Sequence, residues 1–159
     1  MICTEILGKI SDFDVHDRKV EKVAIDWEDA STKVQRKMTD AGREIGLRMD
    51  DTVLVRGMYE GDVIYADDEL VIVVTTPPCD VIKVRVAEDH PMQVAKVAYE
   101  IGNRHAPLFY GDDLFSFVTP YNEPMLTMLE KIHGVTAEKA VMKLDFEKRI
   151  STTVHHHTH

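Results

Sequence analysis

The chain has 159 residues, 19 basic and 28 acidic, with a formal net charge of −9 when its eight histidines are neutral. With 44% hydrophobic residues it can bury a core, which excludes a disordered or collagen-like chain. The acidic balance argues against nucleic-acid binding, because phosphate contacts need clustered Lys and Arg. No long apolar run occurs, and Met1-Ile2-Cys3-Thr4-Glu5 lacks the basic-then-apolar order of a signal peptide, so a cytoplasmic protein with no membrane attachment is expected.

The first 75 or so residues read as short strands separated by polar turns. Ile2 to Ile10 is largely apolar, Val20 to Trp27 alternates in part, and Ile45, Leu47 and Met49 alternate with Gly46 and Arg48 at the period of a half-buried strand. Asp40-Ala41-Gly42 suits a hairpin turn. Glu60-Gly61-Asp62 opens Val63-Ile64-Tyr65, and Ala66-Asp67-Asp68-Glu69 separates that strand from the β-branched run Leu70 to Val74. This spacing predicts a small all-β unit, a two-layer sandwich.

Thr75-Thr76-Pro77-Pro78 is the best boundary, since two prolines cannot sit in a central strand. Beyond it, Asp80 to Val86 alternates as a strand, and Val94, Val97, Ala98 and Ile101 fall at i, i+3, i+4 and i+7 on one helix face. Asp89 and Pro91 mark the start of that helix. Gly102-Asn103 marks its stop, with a left-handed cap expected there. Pro107 to Tyr110 and Leu114 to Val118 form a hairpin around Gly111-Asp112-Asp113; a helix spans about Asn122 to His133; and Ala140 to Phe146 is a last strand. The order strand, helix, strand, strand, helix, strand is the ferredoxin-like βαββαβ arrangement. The expected fold is a two-domain α+β chain: an all-β domain over 1–76, a ferredoxin-like domain over 77–149, and a mobile His-rich tail over 150–159. Each lobe is small, so support from the other lobe or from a second protomer is expected.

The tail carries the clearest chemistry. His155, His156, His157 and His159 are half of all the histidines in the chain, and neutral imidazole is a borderline-soft ligand suited to nickel, copper, zinc or cobalt. A purification tag or a functionless tail are the plain alternatives. His105, in Gly102-Asn103-Arg104-His105, follows the end of the first helix, where unpaired carbonyls favour a cation. One imidazole cannot hold a metal tightly, but a twofold axis would bring the same residue from two protomers to one point. On chemistry alone a surface or packed histidine is the plainer reading. His90 and His133 read as helix-end residues and His16 as part of a polar run. Cys3 and Cys79 are too few and too far apart for a C-x-x-C motif. There is no phosphate loop, nucleophile elbow or H-E-x-x-H helix, so an enzyme is not expected.

The segment Tyr99-Glu100-Ile101-Gly102-Asn103-Arg104-His105-Ala106-Pro107-Leu108 resembles the signature of the UreE family of urease accessory nickel metallochaperones. The opening Gly61-Asp62-Val63-Ile64-Tyr65 and the histidine-bearing tail are similar to that family as well. The resemblance implies a β domain like a chaperone peptide-binding module and a metal-binding domain that forms a head-to-head homodimer. It further implies Ni²⁺ at the twofold interface, with Zn²⁺ or Cu²⁺ able to take the same site, and delivery through a urease accessory GTPase and its partners to apo-urease. It places the interfacial ligand on His105 and tail ligands among His155 to His159. Some members carry further histidines shortly after this segment; Tyr110, Asp112 and Asp113 stand there instead. A metal-storage or buffering protein, or a peptide-binding module, are the alternative functions.

Overall fold

The computed structural model describes residues 1–150, so the four tail histidines lie outside the described residues. The described chain divides into two compact units, Met1–Pro77 and the part from Pro78 onward.

The first unit contains β1 (Ile2–Cys3), β2 (Gly8–Lys9), β3 (Lys19–Ala24), β4 (Val34–Met38), β5 (Glu44–Arg48), the short helix α1 (Thr52–Arg56), β6 (Asp62–Ala66) and β7 (Leu70–Thr75). They form a three-stranded sheet in the order β1-β5-β4 and a four-stranded sheet in the order β2-β6-β7-β3. Cys3, Ile45 and Leu47 from the first sheet meet Val23, Ile64, Ile72 and Val74 from the second in one buried cluster that also takes Val53 of α1. Alternation produces this directly, since a period of two sends Ile45 and Leu47 inward while Glu44 and Arg48 stay exposed. Asp67 closes the β6–β7 turn: its Oδ1 accepts from the amides of Glu69 and Leu70, both at 2.8 Å.

The apolar run Ile2 to Ile10 supplies two short strands. β1 pairs parallel with β5 and β2 antiparallel with β6, so the segment serves both sheets. Gly8 opens β2 with a φ of 141°, which suits only glycine. Two elements were not legible as such. β4 is an edge strand whose Val34 and Met38 are exposed, so its polar run carries no buried stripe. α1 is one turn made of strand-forming residues, anchored where the Thr52 amide donates to Asp50 Oδ1 at 3.0 Å and where Val53 enters the core.

Two carboxylates are fully buried in this unit, and both are satisfied. Glu21 accepts from Thr39 Oγ1 at 2.7 Å and from Arg43 at 3.0–3.3 Å, with Lys19 at 3.3 Å. Asp62 accepts from both Arg56 terminal nitrogens at 2.7 Å and from the Tyr59 amide at 2.9 Å, with Lys9 at 2.9 Å.

The second unit contains β8 (Cys79–Val86), α2 (Gln93–Asn103), β9 (Phe109–Tyr110), β10 (Ser116–Pro120), α3 (Glu123–Glu130) and β11 (Val135–Met142). The sheet order is β11-β8-β10-β9, with every neighbouring pair antiparallel. Ile82, Val84 and Val86 of β8 pack with Val97 and Ile101 of α2 and Met125 and Leu129 of α3, while Lys83 and Arg85 stay exposed on the other sheet face. α3 starts at Asn122, whose Oδ1 accepts from the Met125 amide at 3.0 Å, with Pro124 in the first turn. The last strand runs Val135–Met142, earlier than the expected Ala140 to Phe146. Its register ends at Met142 opposite Cys79, where β8 begins, so no ladder remains for Leu144 and Phe146. They bury their side chains instead, Phe146 lying 5.9 Å from Phe109 between ring centroids. Among the described residues, no helix is long and apolar enough to cross a membrane.

Candidate metal centre

α2 determines where His105 stands. Val97 and Ile101 are both fully buried, which fixes the rotation of the helix and directs Ala95, Tyr99 and Gly102 to the exposed side. The helix ends later than Gly102-Asn103 suggested. Asn103 is still helical, Arg104 sits at φ −93°, ψ 8°, and the left-handed position falls on His105 itself, φ 57°. It is the single non-glycine residue with positive φ among the described residues.

The cap around it is a Schellman motif. The His105 amide donates to the Gly102 carbonyl at 2.9 Å and the Ala106 amide to the Ile101 carbonyl at 3.4 Å, the two bonds that close a helix through a left-handed residue. Ala106 packs against the core that buries Ile101, supplying the apolar contact that accompanies such a cap. Downstream, the Pro107 carbonyl accepts from Thr119 Oγ1 at 2.8 Å, and Leu108 and Phe109 are buried. The backbone of His105 is therefore held from both sides while its side chain is exposed.

A left-handed non-glycine residue carries a conformational penalty of about 1 kcal/mol or more, and glycine would remove it. Such strain recurs where function requires a side chain that glycine lacks. The surroundings suit a cation. The last-turn carbonyls present the negative end of the helix dipole, and the neighbouring Arg104 charge is turned back along the helix, 2.7 Å from Glu100 Oε2. Gly102, one turn before, leaves open space where a side chain would stand.

The other candidates separate clearly. His155, His156, His157 and His159 lie outside the described residues. Cys3 is in the core of the first unit, and burial pushes its thiol pKa up, so it keeps its proton and is a poor ligand. His16 is exposed in a polar loop. Among the described residues no group of three or more His, Cys, Asp or Glu is placed to hold a metal ion, so any ion held at His105 would need ligands from elsewhere. A cavity of about 470 Å³ lies in the second unit, lined by residues including Lys83, Arg85, Tyr110, Ser116, Glu138 and Lys148. No histidine or cysteine lines it. Sequence reasoning missed one meeting of side chains, that of His90 with His133, whose ring nitrogens approach to 3.1 Å.

Comparison with known proteins covers the same ground. A family model described as "UreE urease accessory protein, N-terminal domain" matches residues 3–76, and one described as "UreE urease accessory protein, C-terminal domain" matches residues 79–159. The chain is similar to the urease accessory protein UreE of Helicobacter acinonychis (strain Sheeba), at 33% identity over 156 residues, 98% of this chain and 89% of that protein. The same figures hold for its namesake in Helicobacter pylori (strain ATCC 700392 / 26695). The protein of that name from Flavobacterium johnsoniae is 34% identical over 161 residues, 100% of this chain and 91% of that protein.

Proposed function

Because the chain belongs to the UreE urease accessory protein family, and so has a role in urease maturation and is not an enzyme, we infer that it captures Ni²⁺ and delivers it for assembly of the urease metallocentre. The observation that carries this reading is His105: an exposed imidazole on a rigid, strained cap, where glycine would fold with less strain. The ion is the protein's cargo.

In this reading residues 77–149 are a ferredoxin-like metal-binding and dimerisation domain, consistent with the strand order β11-β8-β10-β9, and 1–76 is a peptide-binding-like β domain. Two protomers meet head to head so that two His105 side chains share one ion on the twofold axis. α2 supports such a contact. Met92, Ala95, Tyr99 and Gly102 form an exposed stripe leading to His105, Met92 being 86% and Tyr99 67% exposed, and the bare Gly102 lets another surface approach closely. Imidazoles from His155, His156, His157 and His159 add ligands in exchange. The shell stays open, because four fixed ligands would release the ion too slowly for transfer. Zn²⁺ or Cu²⁺ fits the same nitrogen set, with copper favoured by intrinsic affinity. Release proceeds to a urease accessory GTPase and its partners, and through them to apo-urease.

Calorimetry with Ni²⁺ on the intact chain, on His105→Ala and on a chain ending at Val154 tests this. The expected result is about one tight ion per dimer, lost in His105→Ala, plus weaker ions lost with the tail. Uptake should fall below about pH 6, since imidazolium cannot coordinate. Unchanged tight binding in His105→Ala overturns the interfacial site, and several tight ions per protomer would favour a storage protein.

A further inference from the structure

The second unit carries another pair of imidazoles, at the far end of α2 from His105; α2 has 11 residues, or about 16 Å of helix. His90 lies in the turn after β8 and His133 in the turn before β11. The antiparallel register that pairs Val86, the last residue of β8, with Val135, the first of β11, brings those turns together. The Ala87 amide donates to the Gly134 carbonyl at 2.8 Å, and Gln93 Nε2 donates to the His133 carbonyl at 2.7 Å. The two rings lie with centroids 4.8 Å apart at 73°, and their Nε2 atoms are 3.1 Å apart. Gly134 makes the room. At φ 78°, a Cβ there would stand 2.8 Å from His90 Cγ.

Asp89 Oδ1 is 2.9 Å from His90 Nδ1. An ionised carboxylate only accepts, so Nδ1 carries the proton of neutral His90 and its Nε2 presents a lone pair. A carboxylate behind a histidine is the arrangement that orients a metal-binding imidazole and raises its basicity. With His90 Nε2 as acceptor, the 3.1 Å contact is a hydrogen bond donated by His133 Nε2.

We propose that His90 and His133 form a second divalent-metal site, taking nickel, copper or zinc through both Nε2 atoms, with Asp89 as the residue that positions His90. Two nitrogens on one ion stand roughly 2.9 Å apart at a square-planar centre and roughly 3.3 Å apart at a tetrahedral one, for bonds of about 2.0–2.1 Å. The observed 3.1 Å lies between these, so the rings need only turn slightly to admit an ion. His133 moves its proton from Nε2 to Nδ1, and the ion replaces the hydrogen bond with no net proton released. Water fills the remaining positions, which makes this a site of fast exchange. It is independent of the His105 reading.

The test uses the full chain carrying His105→Ala, titrated with Ni²⁺ alone and followed by NMR of the histidine ring signals, with His16, exposed in its polar loop, as internal control. The rings of His90 and His133 should broaden together and at a lower Ni²⁺ concentration than His16. His133→Gln should raise the concentration needed at His90 by at least about tenfold, and Asp89→Asn should weaken both by about tenfold or more. Broadening of His90 and His133 only in step with His16 overturns the site. An unchanged titration in Asp89→Asn overturns the positioning role, and that variant keeps the test decisive if His133→Gln disturbs the fold. Because His105 is already removed, neither result depends on nickel binding there.

Discussion

Glu21 in the first unit and His105 in the second are both ionisable groups in unusual positions, and they differ in every other respect. Glu21 is fully buried and meets Arg43, Thr39 and Lys19; it stabilises a fold and offers nothing to a ligand. His105 is exposed, on a cap that glycine would fill with less strain. Burial with full satisfaction marks a structural group, whereas exposure combined with backbone strain marks a group kept for something outside the chain. The buried carboxylates look more specialised in isolation, yet the exposed imidazole is the better functional candidate.

The largest change should come from breaking the buried network. Arg43, followed by Thr39, lowers the Glu21 pKa from 4.5 to about 2. A depressed carboxylate contributes stability that is complete above the unfolded value of 4.5 and is lost as pH falls through the folded value of about 2. In that window the unfolded chain binds the extra proton, so stability rises with pH. Arg43→Met should move this acid loss upward toward pH 4.5 and destabilise the first unit already at neutral pH, because a buried charge is left without its main partner. Amide hydrogen exchange across β3, β5 and β7 measures it. Acid sensitivity that is the same in Arg43→Met and the parent would remove Glu21 from the structural class.

A smaller effect is expected at Asn122, a polar group of the second unit that is used structurally. Its side chain caps α3 by accepting from the Met125 amide. Asn122→Ala should cost about 1 kcal/mol in a denaturant titration and leave Ni²⁺ binding unaltered. If nickel affinity fell with it, structural and metal-binding groups in this unit would not be separable as the comparison requires.

Much of this was legible in the sequence, because the second unit's elements carry clean periodicities: Val97 and Ile101 at helical spacing, and Ile82, Val84 and Val86 at strand spacing, are the residues that the core takes. β4 and α1 escaped because neither has a buried stripe long enough to register. The cap was placed early because glycine and asparagine are the usual left-handed residues; only the hydrogen bonds from His105 and Ala106 reveal that the helix runs on. His90 and His133 are 43 positions apart, each unremarkable at a helix end. Their meeting is a consequence of strand register: once β8 and β11 are paired with Val86 opposite Val135, the turns leading into α2 and out of α3 lie together at one end of that strand pair.

The finest test of the comparison compares two substitutions at one residue. His105→Ala removes the imidazole but keeps a Cβ in the left-handed region, so its stability should match the parent's closely. His105→Gly removes both imidazole and penalty, and should raise stability by about 1 kcal/mol, partly offset by the greater freedom of glycine in the unfolded chain. Both should lose the tight Ni²⁺ equally. A glycine variant that is more stable and metal-deficient, beside an alanine variant that is metal-deficient only, separates the strain of the cap from the chemistry of the side chain. If glycine brought no gain over alanine, the φ of 57° at His105 would carry no energetic penalty, and strain would cease to be the reason for regarding this histidine as functional.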